Sequence, residues 1–180
     1  LPIKFTAVAA DIAAEKEHWF QRGPIDQAIR ASVSLPLFFT PHNVGGVQLI
    51  DGGILNPTPI EPTLGDDTDL TVAVDLGGPM MKEAIPEPEK AQSPWQQKMD
   101  DFLESMKSSE SQPKDQWDMF YIADQSFNTM QNAIARGRMA DNPPDHLISV
   151  PRNKCGTLEF DRSAEMIEHG YRLAAEQLSG

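Results

Sequence analysis

The sequence predicts an α/β chain: a mainly parallel sheet flanked by helices. Three observations point there. Residues 3–10 and 70–76 are nearly unbroken apolar runs, the first ending at Asp11 and the second at Gly77-Gly78. Runs of this kind mark strands covered on both faces, which is the habit of parallel sheets. Apolar residues also recur at helical spacings of three and four in several segments, and the order is strand, helix, strand, strand, helices, strand, helix. A chain of 180 residues is long enough to bury a core as one domain.

The first strand is expected over residues 3–10, with residues 15–20 as its hairpin return or a polar connection. Gln21-Arg22-Gly23-Pro24 breaks the pattern. Pro24 and Asp26 suit a helix start, and Ile25, Ala28, Ile29 and Ser32 fall on one face of that helix. Pro36 ends it. Residues 44–50 read as a hairpin turning on Gly45-Gly46. Gly65-Asp66-Asp67 leads into the strand of residues 70–76.

Residues 79–116 differ in kind, being rich in Pro, Glu, Lys, Ser and Gln. Within them Ser93-Pro94-Trp95-Gln96 has the form of a helix-capping box. A short helix from there would align Trp95, Met99, Phe102 and Met106. It reads either as a lid over a site or as a surface helix packed on the domain, and the second reading is preferred. Residues 83–92 and 107–115 are expected to be mobile. The longest helical pattern, residues 116–139, carries Trp117, Phe120, Asp124, Phe127, Met130 and Ile134. A last strand, 146–150, lies between prolines. The closing helix has Ala164, Ile167, Tyr171, Ala174 and Leu178 on its apolar side, with Gly170 expected to allow close packing.

A formal net charge of −12 repels phosphate backbones, so nucleic acid is not an expected partner. No apolar run reaches the ~20 residues of a membrane-spanning helix, and no leader with a basic flank and apolar middle is visible. The single cysteine, Cys155, excludes an internal disulfide. A cytoplasmic protein is expected, with peripheral contact to a membrane left open. Without a His-x-x-x-His or paired cysteines, no metal and no cofactor are expected.

The stretch with chemistry in it is Leu49-Ile50-Asp51-Gly52-Gly53-Ile54-Leu55-Asn56-Pro57-Thr58-Pro59. A strand ending in Asp-Gly-Gly holds a carboxylate beside neighbours small enough for another group to approach. By itself Asp-Gly is equally a turn signal. Upstream lies Ala28-Ile29-Arg30-Ala31-Ser32-Val33-Ser34-Leu35-Pro36-Leu37-Phe38-Phe39-Thr40-Pro41. This segment, followed by a short hairpin and then Asp-Gly-Gly, resembles the patatin-like phospholipases of bacteria. The ending is similar too: Asp145-His146-Leu147-Ile148, Phe160-Asp161, and Ile167-Glu168-His169-Gly170-Tyr171. The resemblance covers nearly the whole chain except 79 to about 115. It implies a three-layer sandwich with its N-terminal part missing, so that residues 1–180 form the C-terminal part of a patatin-like acyl hydrolase domain, with a polar insert at about 79–116.

Members of that family hydrolyse acyl esters of lipids with a Ser-Asp dyad. By resemblance Asp51 is the dyad aspartate, and Gly52, Gly53, Pro36 and Leu37 flank the substrate. The family's Gly-x-Ser-x-Gly elbow and glycine-rich oxyanion loop, which it places upstream, do not occur in the sequence. This chain therefore reads as the second half of an enzyme, inactive alone. Where the family usually has glycine after Pro36, this sequence has Leu37. A dyad needs no catalytic histidine, and His18, His42, His146 and His169 sit in no nucleophile-like setting. Asp75 reads as a cap, Ser32 as a loop-shaping residue, Arg30 as a tie from its helix to a neighbour, and Cys155 as inert.

The leading expectation is a phospholipase A- or lysophospholipase-like serine acyl-ester hydrolase. The alternative is a non-catalytic patatin-like module that binds lipid or a protein. An upstream elbow and oxyanion loop favour the enzyme, and their loss favours the module. A lipid or acyl-ester substrate is the expected partner. Strands needing more neighbours than this chain supplies imply self-association, or association with an N-terminal segment.

Overall fold

The structure, a computed structural model, describes residues 2–36, 38–81, 119–156 and 159–179. The chain divides into two compact units, Leu1–Ala73 with Ala123–Leu147, and Val74–Ile122 with Ile148–Gly180. The readings made for the lid-like helix, for Trp117 and for the mobile stretches 83–92 and 107–115 lie outside the described residues.

The first unit is built on a four-stranded sheet in the order β2-β1-β4-β3: β1 is Ala7–Asp11, β2 Lys16–Phe20, β3 His42–Val44 and β4 Val47–Asp51. Every pairing in it is antiparallel. For the β1–β2 and β3–β4 pairs the physical reason is loop length. Four residues join β1 to β2 and two join β3 to β4, while a parallel pair needs a crossover of a dozen or more. Asp11 begins the first turn by accepting the backbone N–H groups of Ala13 and Ala14 at 3.0 and 3.1 Å. The second turn is the expected Gly45-Gly46 hairpin. Both residues have positive φ, +60° and +90°, as a type I′ turn requires.

β1 is buried on both faces from Ala7 to Ala10, as its composition predicts. It starts later than expected, and Ile3 and Phe5 lie exposed before it. α1, Ile25–Ser32, follows Pro24. Its buried line is Ala28 and Ala31, whereas Ile25 and Ile29, expected on the buried side, are exposed. The fully buried centre of the unit is Ala9, Ala31 and Leu49, with Phe20, Val44 and Val47 packed against it. Methyl-sized side chains at Ala9 and Ala31 let α1 lie close on the sheet. α2, Met119–Asp141, contributes one buried residue among its described side chains, Ala135.

β5, Val72–Gly78, and β6, His146–Pro151, form a two-stranded sheet. His146 N–H donates to the Thr71 carbonyl and Arg152 N–H to that of Gly78. Both strands advance together between these bonds, so the pair is parallel. The expectation of a mainly parallel sheet is met here and not in the larger sheet. β5 is also not covered on both faces. Ala73 is buried, but Val72, Val74 and Leu76 are 44%, 52% and 70% exposed.

α3, Ser163–Leu178, is a helix where one was expected. In the second unit Gln177 reaches from α3 to accept the Ser149 N–H at 3.1 Å. The apolar side of α3 is open, with Ile167 and Tyr171 about three-quarters exposed. A side chain at Gly170 would meet nothing within 4 Å, so no close packing explains that glycine. The described residues thus form a mixed α/β chain with helices and two sheets.

Candidate active site

Asp51 is the last residue of β4 and the cap of a single 3₁₀ turn, Gly52–Ile54. Strand pairing sets it opposite Ala9 of β1. Its N–H donates to the Ser34 carbonyl at 3.0 Å, so the backbone is held from both sides. The side chain turns back on its own loop, and Oδ1 accepts the Gly53 N–H at 2.6 Å. Among the described residues no donor reaches Oδ2. The carboxylate is half-buried. Burial raises its pKa above the ordinary 3.8, and the Gly53 N–H opposes that by stabilising the charged form.

Gly52 is required by contact, and Gly53 is crowded by side chains. A β-carbon on Gly52 would run into the Val8 carbonyl, lying 2.6 Å from its carbon. One on Gly53 would lie 2.9 Å from Asp51 Oδ1 and 2.7 Å from Gln131 Nε2 of α2. The turn after Asp51 is therefore pressed between the floor of β1 and a polar side chain of α2.

The Ala28–Pro41 segment meets Asp51 through Ser34. Ser34 is fully buried. Its hydroxyl donates to the Arg30 carbonyl at 2.7 Å and accepts from the Arg30 guanidinium. Arg30 also donates to the Thr40 carbonyl at 3.1 Å and lies over the Phe39 ring. Arg30 thus fastens the end of α1 to the loop after it, the structural role expected of it. Pro36 is half-buried in that loop, and Leu37 lies outside the described residues.

A second cluster, which the sequence reading missed, closes the turn. Asn56 is 2% exposed. Its Nδ2 donates to Glu17 at 3.1 Å and to Glu61 at 2.9 Å. Arg138 of α2 binds the same two carboxylates, Glu17 at 2.6 Å and Glu61 at 2.9 Å, and donates to the Leu55 carbonyl at 3.3 Å. Trp19 Nε1 donates to Glu17 at 2.7 Å. The N–H groups of Leu55 and Asn56 both return to the Gly52 carbonyl, at 3.0 and 2.9 Å. Burial works to raise the Glu61 pKa, but the Asn56 amide, a backbone N–H and Arg138 together hold it below the ordinary value. The Asn-Pro-x-Pro stop was the one visible signal, since it separates Asn56 from the strand.

The remaining candidates behave as structure. Asp75 Oδ1 accepts the Gly77 N–H at 2.9 Å, a local turn. A β-carbon on Gly78 would meet the Val150 carbonyl oxygen at 2.6 Å, so this glycine serves the close approach of β5 to β6. Burial, and then Glu159, push the Cys155 thiol above its ordinary pKa, away from the reactive thiolate. His18 packs on Phe20 with ring centroids 4.5 Å apart. No histidine hydrogen-bonds Asp51 among the described residues. No cluster of metal-ligating side chains occurs among them either, and no helix there is long and apolar enough to cross a membrane. A groove of about 670 Å³ lies among Ile3, Lys4, Phe5, Phe20, Arg22, Ile25 and Ala28. Asp51 does not line it.

Residues 4–64, which contain both the Ala28–Pro41 segment and the Asp51 turn, match the patatin-like phospholipase family. Over 99% of its length the chain is 33% identical to an uncharacterized NTE family protein of Mycobacterium bovis, and equally to one of Mycobacterium tuberculosis. A second uncharacterized NTE family protein of Mycobacterium bovis is 36% identical over 42% of the chain. The chain is thus similar to the patatin-like phospholipases and, over most of its length, to NTE family proteins. It spans 63% of the length of the first two relatives and 13% of the third.

Proposed function

We propose that this chain supplies the general base of a lipid acyl-ester hydrolase, phospholipase A- or lysophospholipase-like, in which Asp51 accepts the proton of a serine. Residues 1–180 are then the C-terminal part of a patatin-like acyl hydrolase domain with a polar insert at about 79–116. On this reading the serine and its oxyanion loop come from outside residues 1–180. A serine hydroxyl attacks an ester only as its proton leaves. With no imidazole between them, the carboxylate must sit within roughly 2.6–3.2 Å of the hydroxyl. Gly52, Gly53, Pro36 and Leu37 are the residues we place beside the acyl group.

The observation that carries this reading is the state of the Asp51 carboxylate. It stands at a strand end, half-buried, with Oδ1 engaged by Gly53 and Oδ2 without a donor among the described residues. Burial makes it a stronger proton acceptor than an exposed aspartate. The test is Asp51→Asn in the full-length protein, assayed on p-nitrophenyl butyrate. The amide matches the carboxylate in shape but cannot take the proton, so kcat should fall by about a thousandfold or more. Retained turnover would remove Asp51 from the chemistry. The chain of residues 1–180 alone should not turn the ester over.

A further inference from the structure

The cluster of Arg138, Glu17, Glu61 and Asn56 has no assigned role, yet it grips the loop that carries Asp51 from the far side. We infer that Arg138 is a positioning residue for Asp51, acting through the turn of residues 52–56. The inference rests on the reading of Asp51 as the base, and deepens it.

The mechanical chain runs entirely through hydrogen bonds. Arg138 draws Glu17 of β2 and Glu61 together and takes the Leu55 carbonyl between them. The same two carboxylates hold both hydrogens of the Asn56 amide. Leu55 and Asn56 in turn fold onto the Gly52 carbonyl. That fold aims the Gly53 N–H at Asp51 Oδ1. On the side of β1 Gly52 has no room to spare, because even a β-carbon there would run into the Val8 carbonyl. The turn is therefore clamped at its end by charge and at its start by contact. A group that orients a reacting residue in this way acts through geometry that the reacting residue cannot maintain alone.

The cluster does not act on Asp51 as a charge. What sets the ionisation of Asp51 is its burial and the Gly53 N–H. Its other neighbours are Ala9 across the strand pair, the Ser34 carbonyl, and the neutral Gln131 approaching Gly53 from α2. Of the charged groups on the surrounding elements, Glu17 and Glu61 are both paired with Arg138, Arg30 is engaged with Ser34 and Thr40, and Asp11 caps its own turn. Lys16, His18, His42, Arg136 and Asp141, on the same elements, form no hydrogen bond or ion pair with Asp51. Releasing the clamp should therefore reach Asp51 by one route, loosening of the Gly53 N–H. That bond favours the carboxylate, so its loss lets the Asp51 pKa rise further. As a base Asp51 must be ionised, and the acidic limb of the pH–rate profile moves to higher pH.

The experiment compares wild type, Arg138→Gln and Glu61→Gln in the full-length protein. Lys154→Gln, which removes the remote Lys154–Glu165 pair, is the control. The readouts are the kcat/KM profile against pH with p-nitrophenyl butyrate and the carboxyl ¹³C titration of Asp51. Arg138→Gln should lower kcat by about tenfold with little change in KM, and move both the acidic limb and the Asp51 titration upward. Glu61→Gln, nearly isosteric and retaining the Arg138 contact, should do the same to a smaller degree, and stands in if Arg138→Gln does not fold. Lys154→Gln should move neither. An Asp51 titration that stays in place in both cluster variants overturns the inference, even where activity falls. Full activity in Asp51→Asn would instead remove the base reading. A raised Asp51 titration in Arg138→Gln would then still assign the clamp.

Discussion

Asp51 hangs from Ser34: the Asp51 N–H donates to the Ser34 carbonyl at 3.0 Å, two residues before Pro36. Two sequence segments separated by a hairpin are thereby one structural unit. The Ser34 hydroxyl keeps that carbonyl in place through Arg30. Ser34→Ala should leave the half-buried Arg30 carbonyl short of a partner and destabilise the protein by about 1–3 kcal/mol. The urea midpoint should fall with the slope of the transition unchanged, whereas an unshifted midpoint would show that this hydroxyl contributes nothing.

The two glycines after Asp51 should rank differently from a third. Gly52→Ala drives a methyl into the backbone of Val8 and should be severely destabilising. At Gly53 the obstacles are side-chain atoms, Asp51 Oδ1 and Gln131 Nε2, so alanine should fold but lose activity as the carboxylate shifts. Gly65 has open space and no positive φ. Gly65→Ala should be neutral or stabilising by up to about 1 kcal/mol, through the unfolded chain. Thermal melts of the three variants read the order directly.

Two carboxylates pull the acid stability in opposite directions. The folded pKa of Asp51 is raised, so the folded protein binds more protons than the unfolded chain between the unfolded and folded values. Ionising Asp51 therefore costs stability as pH rises through that window. Asp51→Asn should equal or exceed wild type in melting temperature near neutrality, with the gain vanishing toward the unfolded value. Glu61 has a lowered folded pKa. Its contribution is present above the unfolded value and is lost as pH falls through the folded one. Glu61→Gln should flatten that acid limb, and melts across an acid series would separate the two.

The bare face of β5 gives a prediction about assembly. Val72, Val74 and Leu76 lie side by side on alternate positions and are exposed. Contiguous apolar faces of this kind mark an interaction surface. The chain of residues 1–180 should self-associate in sedimentation, and Val74→Glu with Leu76→Lys should shift it toward monomer. A wild-type monomer at all concentrations would remove the proposal.

Much of this was legible where one residue type has one physical reason to be present. Gly45-Gly46 announced a hairpin turn, and both residues indeed take φ > 0. Asp51 before two glycines marked a strand end. The parallel sheet was over-read, because an apolar run such as residues 3–10 records what needs cover and not which partner supplies it. The short loops around β1 to β4 carried the opposite information. Arg138 was out of reach for a different reason. Its carboxylate partners lie 77 and 121 residues away in the chain, so no local spacing connects them.

That separation has its own consequence for α2. Among its described side chains only Ala135 is fully buried, and the Arg138 ion pairs with Glu17 and Glu61 tie it to β2 and to the stretch after the Asp51 turn. The part of its hold that is charge answers to ionic strength. In molar salt the amides of α2 should exchange with solvent well before those of β1 and β4, the helix opening as a separate cooperative segment while the sheet beneath it stays closed.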